Sequence, residues 1–163
     1  MESLLRNDEE EKAASKLSQQ ALRFFAHTAL ALCAWLAFML LGYVLNPPRV
    51  SQSVILLLSI LVPLVVGYAV THVWQDEMAT AVWLVGLIWL LIISLWILDM
   101  PTGPNACFQC DATEKLTRTF FSLPRPSGLI DNDGPFLVTW PAAALLGYSI
   151  GARVALRRRR SKD

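Results

Sequence analysis

Four long runs of apolar residues, separated by polar segments, define the pattern of this chain. Each run lacks charged residues in its middle and approaches or exceeds the roughly 20 helical residues that cross a bilayer. Because lipid offers no hydrogen-bond partners, the backbone of each run must pair internally, as it does in a helix. We therefore predict an all-α, multi-pass membrane protein with four transmembrane helices, near residues 21–45, 53–74, 78–98 and 136–156.

The polar segments complete the division of the 163-residue chain. Residues 1–20 form an N-terminal segment, residues 21–156 form the membrane domain, and residues 157–163 form a basic tail. The longest polar segment within the membrane domain is residues 99–135, a loop between the third and fourth runs. Asp111 and Glu114 have the spacing of a helix cap, so we expect a short amphipathic helix over about residues 112–122.

The positive charges predict the orientation in the membrane. Ten of the 14 lysines and arginines lie in the N-terminal region, in Arg153 or in the tail, and four lie on the opposite side. Cytoplasmic segments carry the excess of such residues. Both termini are therefore predicted to be cytoplasmic and the long loop extracytoplasmic, in a bacterial cytoplasmic (inner) membrane.

The overall composition excludes some partners and indicates others. Charged residues make up 17% of the chain, below the roughly 25% of soluble domains, and the net charge is only +1. Nothing in this balance points to nucleic acid, and the lipid bilayer is the expected environment. The basic run Arg157–Arg160 predicts contact with anionic lipid headgroups, each charge contributing about 1 kcal/mol.

Small residues recur every fourth position in the first and last runs, which is typical of closely packed membrane helices. The first run carries Ala29, Cys33 and Ala37. The last run carries Ala143, Gly147 and Gly151 within a longer stripe of the same kind. We predict that these residues pack helices together. The expected partner of the last run is the first run of the same chain, or the last run of a second copy in a homodimer.

The same two runs resemble a known family. Phe24-Phe25-Ala26-His27 opens the first run, and Trp140-Pro141, Gly147 and Ile150-Gly151 mark the last. These residues look like the bacterial two-transmembrane domain family, small membrane modules without an established biochemical role. The second and third runs and the long loop have no counterpart in that pattern, and Arg153 lies near the place of a histidine common in the family. The resemblance supports pairing of the first and last runs and implies no activity.

The long loop contains the chain's only closely spaced cysteines, Cys107 and Cys110. On the oxidising side of a membrane, a structural disulfide between them is the favoured interpretation. The CxxC spacing also permits a catalytic thiol–disulfide oxidoreductase, although Asp111 disfavours a thiolate and Cys33 is the only other cysteine. Metal binding and unpaired or interchain cysteines are further alternatives. Two thiols and no histidine fall short of a zinc site, so neither a metal nor a cofactor is predicted.

Two further features bear on function. Arg23 and His27 lie one helical turn apart at the entrance to the first run. They can anchor the helix at the headgroups, or they can respond to protons or a ligand. Pro63 lies inside the second run and predicts a kink. A non-enzymatic scaffold or accessory subunit of a membrane complex is the leading hypothesis. The alternatives are the oxidoreductase and, third, a small transporter.

Overall fold

The computed structural model describes residues 2–45, 52–99, 111–113, 115–116 and 136–161. In these ranges the chain is helical and contains no strand, as predicted. The elements are α1 (Glu2–Leu45), α2 (Gln52–Val73), a 3₁₀-helix η1 (Glu77–Ala81), α3 (Trp83–Asp99) and α4 (Phe136–Arg160). A helical turn follows Asp111, whose carbonyl accepts a hydrogen bond from the amide of Lys115 at 3.0 Å. This is where the short loop helix was expected to begin.

The first and last helices are longer than the membrane runs in them. α1 has 44 residues, a length of about 66 Å, and it includes the N-terminal segment without a break. From Lys12 to Arg23 every side chain is exposed, so this part of α1 extends beyond the helices that pack on the rest of it. α4 similarly continues through Arg160 and takes in most of the basic tail.

The third apolar run forms two elements, the 3₁₀-helix η1 at its start and the helix α3 after it. Asp76 has an extended backbone, with φ −113° and ψ 120°, and its Oδ1 accepts a hydrogen bond from the amide of Met78 at 3.0 Å. This cap begins η1, and α3 starts only at Trp83, five residues later than the predicted helix. We refer to the end of the molecule that carries Trp74–Asp76 and η1 as the turn end.

Contacts along α4 establish the directions of its neighbours α2 and α3. Gly147 lies against Ile60, and Gly151 lies against Leu64 four residues further along α2, so α2 and α4 run parallel. On α3 the order is reversed: Gly86 lies against Ala142, whereas the earlier Trp83 is bonded to the later Ser149. α3 is therefore antiparallel to α4.

α1 is also antiparallel to α4. His27 contacts Tyr148, and eight residues further along α1 Trp35 packs against Trp140 and Ala144. A second buried cluster lies closer to the turn end and joins α1, η1 and α4, with Val66 of α2 and Val85 of α3 packed against it. It consists of Ala31, Ala79, Val82, Leu145, Tyr148 and Ala152. The four helices thus alternate in direction along the chain.

The glycines of α4 lie at its closest approach to a neighbouring helix. A Cβ atom on Gly147 or Gly151 would collide with the carbonyl oxygen of Ile60 or Leu64, respectively. The contact is reciprocal, because a Cβ on Gly67 of α2 would come within 3.0 Å of the Cα of Tyr148. Small residues on both helices permit this backbone contact.

The glycine face of α4 does not pack on the first run of this chain, as was expected. It packs on α2, because Gly67 complements it there, and the homodimer stays a prediction. α1 does contact α4, but through His27, Ala31 and Trp35. The Ala29, Cys33 and Ala37 stripe is exposed in this chain.

The outer surface of these helices is strongly apolar. Two segments of the described chain, Lys12–Leu41 and Glu77–Trp96, are long and apolar enough to cross a membrane. In each of them only 22% of the most apolar stretch is buried inside the molecule. Leu57–Val73 of α2 is apolar over a shorter length, and its helix continues through the buried Pro63. These features fit a transmembrane protein.

Candidate functional site

A buried histidine lies where α1, α4 and the turn end meet. His27 is only 3% exposed, and its Nδ1 lies 2.7 Å from the hydroxyl oxygen of Tyr148, which is fully buried. The two rings are tilted by 55° with centroids 5.9 Å apart, so they meet through their polar edges. A polar pair in this apolar interior is stable only when its groups are hydrogen-bonded to each other.

The other ring nitrogen of His27 faces Asp76. Its Nε2 lies 3.6 Å from Oδ2 of Asp76, and Nε of Arg23 lies 3.9 Å from the same oxygen. The carboxylate is 14% exposed, whereas the Arg23 side chain is 65% exposed. Asp76 therefore caps η1 with one oxygen and faces two basic side chains of α1 with the other. This cluster of four residues, Arg23, His27, Asp76 and Tyr148, is called the His27 cluster below.

The chemistry of the ring determines the positions of the protons. Nε2 of His27 faces the Asp76 carboxylate, which favours the tautomer protonated there, and in that tautomer the Tyr148 O–H donates to Nδ1. The ring proton then lies on Nε2 and points towards Asp76. This assignment follows from the network of partners. The result is a chain of polar groups from the buried Tyr148 to the exposed Arg23, with a titratable nitrogen at its centre.

Ser149, the residue after Tyr148, joins α4 to η1 and to the start of α3 through hydrogen bonds. Its hydroxyl oxygen accepts a hydrogen bond from the amide of Trp83 at 2.9 Å and donates to the carbonyl of Ala79 at 3.5 Å. The Trp83 amide belongs to the first turn of α3, where amides have no intrahelical partner. Two consecutive residues of α4 thus bind α1 and the start of α3.

A group of basic and aromatic side chains lies on the last turns of α2 and the end of α4. The rings of Tyr68 and His72 are stacked, with 9° between their planes and 5.9 Å between their centroids. The guanidinium of Arg158 lies 5.7 Å from the Tyr68 ring centroid, a cation–π contact, and its Nη1 donates to the Tyr68 hydroxyl at 3.4 Å. With its side-chain amide assigned so that the oxygen faces Arg159, Gln75 accepts a hydrogen bond from Nη2 of that arginine, 3.0 Å away.

An open cleft of about 260 Å³ lies between η1 and α4, also at the turn end. Arg153 and Arg157 line it from α4, and Glu77 and Thr80 line it from η1. Leu156 supplies an apolar wall. The cleft presents two exposed guanidinium groups and one carboxylate, a charge arrangement that suits an anion.

The residues predicted from the sequence divide into three groups. Cys107 and Cys110 lie outside the described residues, and their pairing stays a prediction. Gly147 and Gly151 are buried in the contact with α2, and Ala143 is half-buried. The third group, Ala29, Cys33 and Ala37, lies on the exposed face of α1, where Cys33 is a free thiol.

Half of the His27 cluster follows from the sequence pattern. The spacing of Arg23 and His27 predicts a pair, whereas nothing in the pattern joined Asp76 or Tyr148 to it. A signal did exist, since a turn between the predicted second and third spans is expected on the same side of the membrane as the start of the first span, where His27 lies. Within the described residues, no group of three or more histidine, cysteine, aspartate or glutamate side chains is arranged to hold a metal ion.

The helical fold and its exposed apolar surface fit the class of transmembrane proteins. The described chain is helical, with two helices able to cross a membrane and a polar network at one end. Comparison with protein-family models, with curated proteins and with solved structures finds no match.

Proposed function

We propose that this chain is an integral membrane protein of four spans that serves as a scaffold or accessory subunit of a membrane complex. Both termini and the turn end face the cytoplasm, and residues 99–135 face the opposite side. The protein contributes a binding surface and no catalytic step. The proposal has two parts, the arrangement in the membrane and the role as a partner, and different observations support each.

The alternating directions of the helices support the four-span arrangement. In a chain that crosses a membrane four times, the first and third spans run one way and the second and fourth the other way. The contacts of α4 with its neighbours have this order. The His27 cluster and Arg153–Arg159 also gather at a single end, and the excess of positive charge there supports a cytoplasmic location for that end.

The exposed extension of α1 is the observation that carries the scaffold role. Residues 12–23 make about 18 Å of helix with every side chain exposed, including Leu17 at 68%. A helix of this length has little stability by itself in water and normally gains it from packing. Here it is anchored at one end by Arg23 and His27. A helix that no other described element covers, held on a membrane anchor, is suited to binding another protein.

Single-cysteine variants test the arrangement in the membrane. In a chain with all three native cysteines replaced, Ser18→Cys and Ser161→Cys place thiols at exposed positions near the two termini. Both are expected to react with an impermeant maleimide only after the cells are permeabilised. A variant that retains Cys107 alone is expected to react in intact cells. The reverse pattern would refute the orientation, and loss of the protein from carbonate-washed membranes would refute membrane insertion.

Site-specific photocrosslinking tests the role as a partner. Leu17 on the extension and Leu95 on α3 are 68% and 69% exposed, so they form a matched pair. A photoreactive residue at position 17 is expected to give one discrete protein adduct, which also co-purifies in mild detergent. At position 95, inside the third span, crosslinks to lipid are expected instead. Indistinguishable, diffuse products from the two positions would count against a scaffold.

A further inference from the structure

We propose that the cleft between η1 and α4 binds the phosphodiester group of an anionic phospholipid, with Arg153 and Arg157 as its ligands. The proposal rests on the membrane insertion proposed above and names a lipid partner for the turn end. Four features of the structure support this proposal: the exposed guanidinium groups of the cleft, the partners of the neighbouring arginines, the charge of the cleft lining and the apolar surface beside the cleft.

The two arginines of the cleft lie close together in sequence, and their guanidinium groups have no partner among the described residues. They are four residues apart on α4, so their side chains lie on one face of the helix. Neither guanidinium group makes a hydrogen bond or ion pair with another of the described residues, and both side chains are exposed. Like charges at this spacing destabilise a helix. An anion bridging the two guanidinium groups would remove that repulsion and accept their N–H groups in charge-assisted hydrogen bonds.

The next two arginines have partners within the chain. Arg158 is bound to Tyr68, and Arg159 is bound to Gln75. These contacts hold the last turns of α4 against α2 and the turn. The basic run at the end of the chain is therefore not uniform: Arg157 faces the cleft with Arg153, while Arg158 and Arg159 are engaged elsewhere.

The charge of the cleft matches one phosphodiester. Two arginines and Glu77 give its lining a formal charge of +1. A lipid phosphodiester carries a single negative charge, whereas a phosphate monoester carries about −1.5 to −2 at neutral pH. The N–H groups of two neighbouring guanidinium groups can bind the oxygens of a single phosphodiester, so the cleft suits this monoanion.

The surface beside the cleft accommodates acyl chains. Leu146 and Ile150 occupy the same face of α4 as Arg153 and Arg157, at successive turns further from the turn end. They are 47% and 41% exposed. A lipid whose phosphate lies between the arginines can lay its hydrocarbon along these two residues. A soluble anion has no acyl chain and would leave this apolar surface uncovered.

The test compares two double variants with the same change in charge. Arg153→Gln/Arg157→Gln removes the ligands of the cleft, and Arg158→Gln/Arg159→Gln removes the adjacent pair. The full-length proteins in detergent are titrated with phosphatidylglycerol, and native mass spectrometry gives the dissociation constant of the first bound lipid. Removal of the cleft pair is expected to weaken binding about 30-fold, and removal of the adjacent pair less than about threefold. Equal weakening by both, or by neither, would overturn the proposal.

Two further arms distinguish the sources of the phosphate. Phosphatidylcholine is expected to bind about tenfold more weakly than phosphatidylglycerol, and inorganic phosphate at the same concentration is expected not to displace the lipid. Equal binding of both lipids, or displacement by phosphate, would refute a site for an anionic lipid. Carbonate extraction separates this failure from failure of the proposed function. If the wild-type protein stays in the membrane but the variants bind alike, only the cleft is refuted.

Discussion

Replacement of Gly151 by alanine tests the central packing of the fold. A new Cβ atom at this position would collide with the carbonyl oxygen of Leu64 and lie 2.9 Å from the backbone amide nitrogen of Tyr68. Both obstacles are backbone atoms of α2, so relief requires that a whole helix move. Overpacking of this kind costs about 1–3 kcal/mol, and backbone contact places Gly151 at the upper end.

The opposing effect is the helix preference of alanine, which stabilises a helix by about 0.8–1 kcal/mol over glycine. The net expectation for Gly151→Ala is therefore a loss of about 1–2 kcal/mol. For a chain of this size that corresponds to a decrease of about 2–8 °C in the melting temperature. The fluorescence of the six tryptophans during thermal unfolding in detergent provides the measurement.

Gly86→Ala is the matched control. Its Cβ would lie 3.2 Å from the nearest atoms of Ala142, a contact that a shift of a few tenths of an ångström relieves. Here the helix preference of alanine offsets the crowding, and we expect a change below about 1 kcal/mol. An exposed helical glycine gains about 0.8–1 kcal/mol of stability when it is replaced by alanine. If Gly151→Ala raised the melting temperature as such an exposed position would, the close contact of α2 and α4 would be refuted.

Three further predictions concern the polar groups. Tyr148→Phe removes the hydroxyl but leaves Nδ1 of His27 buried and unsatisfied, so we expect a loss of about 1–3 kcal/mol in the same unfolding assay; an unchanged melting temperature would contradict the hydrogen bond. Asp76→Ala should cost about 1 kcal/mol through the lost cap of η1, and Asp76→Asn should recover most of it, because an amide oxygen also caps; equal melting temperatures for the two variants would argue against capping. The Cys107–Cys110 pair, if a structural disulfide, should have a reduction potential below about −300 mV in redox-buffer titrations, and a much higher value would favour the oxidoreductase alternative.

The apolar pattern by itself determined the helical class and the general location of the helices. A run of about 20 apolar residues has no other stable form in lipid, so the prediction needed no tertiary information. The glycine pattern of α4 similarly identified a surface of close helix contact. The pairing of Arg23 with His27 followed from the helical repeat alone.

The packed structure decided which elements meet. A glycine face fits any helix that offers a matching small residue, and the sequence alone does not rank Gly67 on α2 against Ala29 on α1 as the complement. The same holds for the His27 cluster. Asp76 and Tyr148 are 49 and 121 positions away from His27 in the chain, and no local periodicity relates them.

The physical reason lies in the range of the forces. Helix formation depends on residues a turn apart and on the solvent, and both can be read from the sequence. The choice of partner depends on the depth of contact between backbones and on the burial of polar groups, which exist only once the helices pack. For this protein, local pattern determined the helices, and packing alone brought the Tyr148 hydroxyl, the His27 ring and the Asp76 carboxylate together.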